Sequence, residues 1–404
     1  MGQLVYLDNA ATTQLHPDVW KEMTPYFTEF YGNPSSIYRF AQTSSQAVEN
    51  AREEIAAMIG AKPSEIYFTG GGSESDNWAL KIIAETYRSK GNHIITSSIE
   101  HHAVLHTCQY LEKQGFDVTY LSVNEQGIID LDQLKQSIRP DTILISIMAA
   151  NNEIGTIQPI AGIGQIAKEF GVFFHTDAVQ AFGHIPLNAE EMNIDLMSAS
   201  AHKIHGPKGV GFLYVRTSVK LPPLIHGGAQ ERGKRAGTHN VPGIVGFAAA
   251  AKRAADHMKE TIEYESGLRD YLIERIENEI PFSVLNGDRI RRLPHHVHFC
   301  FRFIEGESML ILLDEAGICA SSGSACTSGS LDPSHVLLAI GRPHELAHGS
   351  LRLTLSEQTT KEELDYVVEE LKKTIQRLRS MSPLYEDYLK SAERHKGILY
   401  KVNE

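Results

Sequence analysis

Between about residues 44 and 260 the sequence alternates short apolar runs with amphipathic stretches, and this alternation restricts the fold more than any other feature. Strands are predicted at Ile66–Thr69, His93–Ser97, Val118–Ser122, Thr142–Met148, Val172–His175, Leu196–Ala199 and Val210–Val215. Helical patterns fall between several of them, at Glu74–Arg88, His102–Gln114, Leu131–Ile138 and Ile160–Phe170. Runs that are apolar throughout must be covered on both faces, which calls for a mainly parallel sheet flanked by helices. The expectation is an α/β fold whose large domain holds a mainly parallel seven-stranded sheet. Ligands in such sheets gather at the carboxyl ends of the strands.

Further on, a long helical stretch, predicted from Val245 to about Glu279, breaks at Pro281. The pattern then becomes strand (His296–Phe303), helix (Ser308–Ala316), strand (Ser350–Thr354) and helix (Lys361–Met381), the makings of a small α+β domain. The expected division is a large domain over 14–260 and a small one built from 1–13 and 261–404. A net charge of −12 argues against nucleic acid or an anionic membrane surface as partner. The longest apolar run, Ile143–Ala150, is interrupted by Ser146 and falls short of the ~20 residues that span a bilayer. Four cysteines (Cys108, Cys300, Cys319, Cys326) form no Cys-x-x-Cys pair and no zinc spacing, which suits a reducing cytoplasm. Cys108, Cys300 and Cys319 are expected in the core.

Polar groups follow the apolar runs in succession. Gly70-Gly71-Gly72-Ser73 separates a strand from a helix, where free backbone N–H groups and the helix dipole favour a phosphate; alternatively, Ser73 simply caps the helix with Asp76. His101 follows the second run, Asn151 and Asn152 the fourth, and Asp177 the fifth. Lys203 follows the sixth, at a chain reversal beside His202. A lysine amine becomes a nucleophile when desolvation or neighbouring cations lower its pKa from about 10.4, and Schiff-base chemistry is the usual use of that. Lys208, in the same turn, reads as a surface charge. A carboxylate that keeps a pyridine nitrogen protonated makes the ring an electron sink. Phosphate cradle, ring-stacking imidazole, carboxylate and lysine together describe a pyridoxal phosphate (PLP) site.

The motifs Asp8-Asn-Ala-Ala-Thr-Thr, Tyr31-Gly-Asn-Pro-Ser-Ser, Phe68-Thr-Gly-Gly-Gly-Ser-Glu-Ser-Asp-Asn, Asn151-Asn-Glu-Ile-Gly, Asp177-Ala-Val-Gln and Ser200-Ala-His-Lys resemble the NifS/IscS-type cysteine desulfurases. These are PLP enzymes of the class V aminotransferase superfamily, with the PLP-dependent transferase fold type I, and the resemblance covers essentially the whole chain. It implies that Lys203 carries PLP, Asp177 pairs with the ring nitrogen, His101 stacks on the ring and Gln180 bonds its hydroxyl. Asn152 would sit beside the ring, and Gly72, Ser73, Ser200 and His202 would hold the phosphate. Thr238 would reach the phosphate of a neighbouring subunit, so a homodimer is expected. Where many members have Ala-Thr in the phosphate loop, this chain has Gly72-Ser73, which keeps the hydroxyl.

Ala320-Ser-Ser-Gly-Ser-Ala-Cys326-Thr-Ser-Gly is rich in residues that neither pack nor favour helix, so a mobile loop of about 320–334 is expected. A thiol there, with a pKa of about 8.5, is available for chemistry. The resemblance makes Cys326 the residue that takes sulfur from PLP-bound L-cysteine as a persulfide, releasing L-alanine; its only metal contact would be as a transient iron–sulfur ligand. Arg352 matches the arginine that binds the substrate carboxylate, as bidentate guanidinium geometry allows, and Asn33 matches a position near the substrate. The acceptors implied are an iron–sulfur scaffold or another sulfur-acceptor protein, including tRNA-thiolation proteins. The alternatives are a selenocysteine lyase or class V aminotransferase and, outside enzymes, an inactive PLP-fold partner in a sulfur-transfer complex.

Overall fold

The structure, a computed structural model, describes residues 4–322 and 333–391. Cys326, with most of the expected 320–334 loop, lies outside the described residues. The strands are β1 (Val5–Tyr6), β2 (Ile66–Thr69), β3 (His93–Ser97), β4 (Asp117–Leu121), β5 (Thr142–Ser146), β6 (Phe173–Asp177), β7 (Leu196–Ser200), β8 (Gly211–Val215), β9 (Ser283–Leu285), β10 (His296–Phe301), β11 (Ile318–Cys319) and β12 (Ser350–Thr354). Seven of them form one sheet in the order β2-β8-β7-β6-β5-β3-β4. Neighbours from β7 to β4 run parallel, and β8 runs antiparallel to both β2 and β7. The sheet is therefore mainly parallel and seven-stranded, as expected, with strand ends moved by no more than two residues.

Both faces of this sheet are buried because successive side chains point to opposite sides. Ile95, Ile145, Phe174, Met197 and Phe212 join one core, with the helices Arg39–Met58 and Ile160–Phe170. Ile94, Leu144, Leu196 and Leu213 join another, against the helix Gly72–Tyr87 and its fully buried Trp78. A separate antiparallel sheet, β12-β10-β9, packs Val297, Phe299, Leu351 and Leu353 against the helix Lys361–Ser380. The helix Val241–Glu279 belongs to both assemblies: Ile244 and Phe247 lie in the first core, Leu272 and Ile276 in the core of the small sheet.

Parallel pairing has a consequence for function. The strands β7, β6, β5 and β3 are consecutive neighbours, so the segments leaving their carboxyl ends emerge along one edge. Those segments carry Lys203, Asp177, Asn152 and His101. Two expectations need correction. Ser73 does not cap the following helix: the helix begins at Gly72, its cap position is Gly71, and no side-chain cap bond closes its start. Cys319 is only partly covered, since its two-residue strand pairs with β1 at the margin of the core, whereas Cys108 and Cys300 are buried.

Candidate active site

Ten of the residues singled out from the sequence line a single cavity of about 350 Å³: Gly72, Ser73, His101, Asn152, Asp177, Gln180, Ser200, His202, Lys203 and Arg352. That volume is in the range of small-molecule sites. Lys203 ends the short 3₁₀ turn Ala201–Lys203 that follows β7. Its Nζ donates to the carbonyl oxygens of Ala10 (2.6 Å) and Ala11 (2.8 Å). The segment Asp8–Thr13 acts as a strap: Thr13 Oγ1 donates to the His202 carbonyl at 3.1 Å, and Asn9 Nδ2 donates to the Thr354 carbonyl at 2.8 Å. The lysine turn and the strand that carries Arg352 are thus tied to the same six residues.

Asp177 closes β6 and is 5% exposed. Its Oδ1 accepts the Val179 N–H at 2.9 Å, and burial pushes its pKa up to about 6, against the opposing pull of that bond and of Lys203. Close by, Asp76 is buried and held well above the usual carboxylate range by burial and then by the Asp177 charge. Two carboxylates buried together share one charge, and the proton belongs on Asp76. Asp76 Oδ1 has no hydrogen-bond partner among the described residues and lies 3.6 Å from His175 Nε2. Burial lowers the His175 pKa to about 3, so the ring is neutral.

His101 caps the helix His102–Lys113, its Nδ1 accepting the Ala103 N–H at 3.1 Å. It performs the capping role and faces the cavity as well. Burial, then the charge of Lys203, lowers its pKa to about 4, leaving a neutral ring with its proton on Nε2. His202, whose Nδ1 lies 3.1 Å from Thr12 Oγ1, is likewise lowered to about 4 by burial and by Lys203.

The glycine loop is shaped by close approach. Gly71 has φ of +146°, in the region that favours glycine, and a Cβ on Gly72 would stand 2.5 Å from Val179 Cγ2. With no side chain capping the helix, its first N–H groups face the cleft lined by Gly70–Ser73, Ser200, His202 and Lys208. Glu74 accepts a bidentate pair from Arg235 (2.8 and 3.0 Å) and bonds Gly70 N at 2.8 Å, which pins the loop from outside.

Arg352 is 3% exposed. Its Nη1 donates to the Asn152 carbonyl (2.8 Å) and its Nη2 to Asp8 Oδ1 (2.9 Å), while its buried Nε has no partner among the described residues. Two predicted residues are not brought to the cavity. Asn33 is exposed and uses Oδ1 to accept the Ser35 N–H at 3.0 Å, and Thr238 is exposed. Other residues at the cavity had been given no site role from the sequence: the Ala10 and Ala11 carbonyls, Met148, Val179 and Asp76, with Lys208 at the phosphate cleft. Only Asp76 carried a readable signal, as an acid one turn into a helix that follows a glycine run.

A mainly parallel sheet with a carboxylate ending one strand, a lysine turn after the next and a glycine-opened helix beside them defines the PLP-dependent transferase fold type I. The Aminotransferase class-V family profile matches residues 5–367. A protein of Clostridium botulinum (strain Hall) named cysteine desulfurase IscS is 56% identical over 395 residues, 97% of this chain and 100% of its own. One of Methanosarcina thermophila with the same name is 57% identical over 383 residues, 95% of each chain. Among solved structures, a NifS-like protein superposes with a TM-score of 0.88 at 40% identity, over 93% of this chain and 100% of that one. A structure titled SspA in complex with cysteine gives 0.79 at 40% identity, over 88% and 100%. The chain belongs to the class-V aminotransferase family and, within it, to the cysteine desulfurases of the NifS/IscS type.

Proposed function

We propose that this chain converts L-cysteine to L-alanine with PLP as cofactor and passes the sulfur, through a persulfide on Cys326, to an iron–sulfur scaffold or another sulfur-acceptor protein. The observation that carries this reading is the convergence of the Lys203 amine and the buried Asp177 carboxylate on one cavity beside an uncapped helix start. The residues present fit PLP: the helix N-terminus offers N–H donors to a phosphate, and Asp177 is a buried carboxylate in want of a cationic partner.

Bound there, PLP supplies an aldehyde that condenses with amines and a ring that accepts electrons from the substrate's Cα. Gly72, Ser73, Ser200 and His202 would hold the phosphate, with Thr238 of a second copy in a homodimer reaching across, which suits its exposed position. Asp177 would hold the proton on the ring nitrogen. His101, neutral and fixed by the Ala103 N–H, would stack on the cofactor, and Gln180 and Asn152 would bond its ring substituents. Arg352 would orient the substrate carboxylate.

Lys203 Nζ takes the α-proton of L-cysteine and is steered by its bonds to the Ala10 and Ala11 carbonyls. The Cys326 thiolate then attacks the substrate sulfur. An S–S bond forms as the C–S bond breaks, the electron pair stays with the β-carbon, which takes a proton, and the proton returned to Cα by Lys203 completes alanine. The large domain of 14–260 supplies the cofactor site, and the small domain of 1–13 and 261–404 supplies Arg352 and Cys326; the separate cores support this division. Among the described residues no helix is long and apolar enough to cross a membrane. The three described cysteines are free thiols, and we place the enzyme in the cytoplasm. The test is alanine release from L-cysteine by the holoenzyme with a thiol reductant, beside Lys203→Ala. Alanine from the parent and none from the variant is the expected result; none from either overturns the reading.

A further inference from the structure

His184, Glu265 and His295 come from three distant segments and meet where the helix Val241–Glu279 passes from one core to the other. One donor atom from each lies within 4.8 Å of the other two. Glu265 and His295 are 3% and 2% exposed. Glu265 Oε2 and His295 Nδ1 are buried, have no hydrogen-bond partner among the described residues, and stand 3.8 Å apart. That is too long for a hydrogen bond. It is close to the ~3.4 Å edge of a tetrahedron whose ligands sit about 2.1 Å from a shared ion. The His184 and His295 ring centroids are 4.2 Å apart.

The surroundings favour a cation. His184 Nε2 lies 3.0 Å from the Lys203 carbonyl, which only accepts, so Nε2 carries the proton and Nδ1 keeps its lone pair. A ligating histidine commonly donates its other N–H in this way. Two unpartnered donor atoms buried side by side, a carboxyl oxygen and an imidazole nitrogen, are what a metal ion takes up. Arg269, whose charge acts on His295, is engaged with Asp270 at 2.8 Å.

We propose that His184, Glu265 and His295 bind one divalent transition-metal ion, zinc being the best match to a His₂Glu set, with water as fourth ligand. The ion's part is to join segments of the chain, although an open water position is the arrangement usual in catalytic zinc sites. It fastens the turn after β6 (His184), the long helix (Glu265) and the residue before β10 (His295) at one point. Since β10 pairs with β12 through His298 and Arg352, the clamp sets the position of Arg352 relative to Lys203.

The test uses EDTA-treated, PLP-loaded protein carrying Cys326→Ala, because a loop thiolate would also bind zinc. Zinc is measured by equilibrium dialysis with elemental analysis, and cobalt(II) by its visible d–d absorption. The expected result is one zinc per chain, tetrahedral cobalt bands without a sulfur-to-cobalt band, and a rise in melting temperature with zinc. Glu265→Gln and His295→Asn should each weaken binding by about 100-fold while keeping the cofactor absorbance. Zinc bound equally by both variants would put the site elsewhere and overturn the proposal. Absence of tetrahedral cobalt bands in the parent would overturn it whether or not the variants fold, and would leave a pocket holding ordered water only.

Discussion

Glu231→Gln tests how the segment leading to Thr238 is held. Glu231 is 3% exposed; it accepts Nη1 and Nη2 of Arg52, both at 2.8 Å, the Phe68 N–H at 2.9 Å and His239 Nε2 at 2.8 Å. Burial pushes its pKa up, but the bonds from Arg52 and His239 outweigh that and bring it to about 2 from an ordinary 4.5. Because the folded value is depressed, the stabilisation is fully present above pH 4.5 and is lost as the pH falls through 2. The drop corresponds to about 3 kcal/mol at neutral pH, in line with the roughly 3–5 kcal/mol lost on breaking a buried pair. Against the unfolding entropy of a 404-residue chain, that lowers the melting midpoint by about 4 °C. Thermal scans of parent and variant from pH 7 to 3 should show this difference at neutral pH and about half of it at pH 3. A difference under about 1 °C at pH 7, or one that does not shrink with acid, would refute the reasoning.

Three further outcomes follow from the site. Asp177→Asn removes the buried charge proposed to face the ring nitrogen, and kcat/KM for alanine formation should fall by about two to three orders of magnitude; a loss under about threefold would remove Asp177 from this role. Gly72→Ala drives a Cβ into Val179 Cγ2 and should cost about 1–3 kcal/mol with loss of cofactor on gel filtration. Adding Val179→Ala should restore retention, and failure to do so would separate the loop from this contact. Arg352→Lys cannot serve Asp8, the Asn152 carbonyl and a substrate carboxylate together, so KM for L-cysteine should rise about tenfold or more with kcat less affected; an unchanged KM would contradict carboxylate binding there.

Local pattern revealed the frame of the sheet and much of the cavity, because each apolar strand ends in the polar residue it delivers. Ile160–Phe170 and Ser350–Thr354 match their predicted bounds. The helix Arg39–Met58 was less legible, since its buried face is largely alanine (Ala41, Ala47, Ala51, Ala56) and gives a weak apolar stripe. The long helix starts at Val241 and not Val245: Asn240 caps it by accepting the Gly243 N–H, with Pro242 in the first turn, a signal that was readable. What sequence could not show are pairings made by tertiary contact. The Asp76–His175 pair, the Ala10 and Ala11 carbonyls on Lys203, and the meeting of His184, Glu265 and His295 join segments with no common period or spacing.

The central claim, that sulfur leaves L-cysteine through Cys326, is tested most directly by the fate of the sulfur itself. Holoenzyme mixed with L-[³⁵S]cysteine and resolved without reductant should carry label on a Cys326 peptide, released by dithiothreitol, in step with the first turnover of alanine. Cys326→Ala should carry none and form no alanine. Alanine formed at the parent rate by Cys326→Ala, or label on Cys319 in its place, would contradict the account.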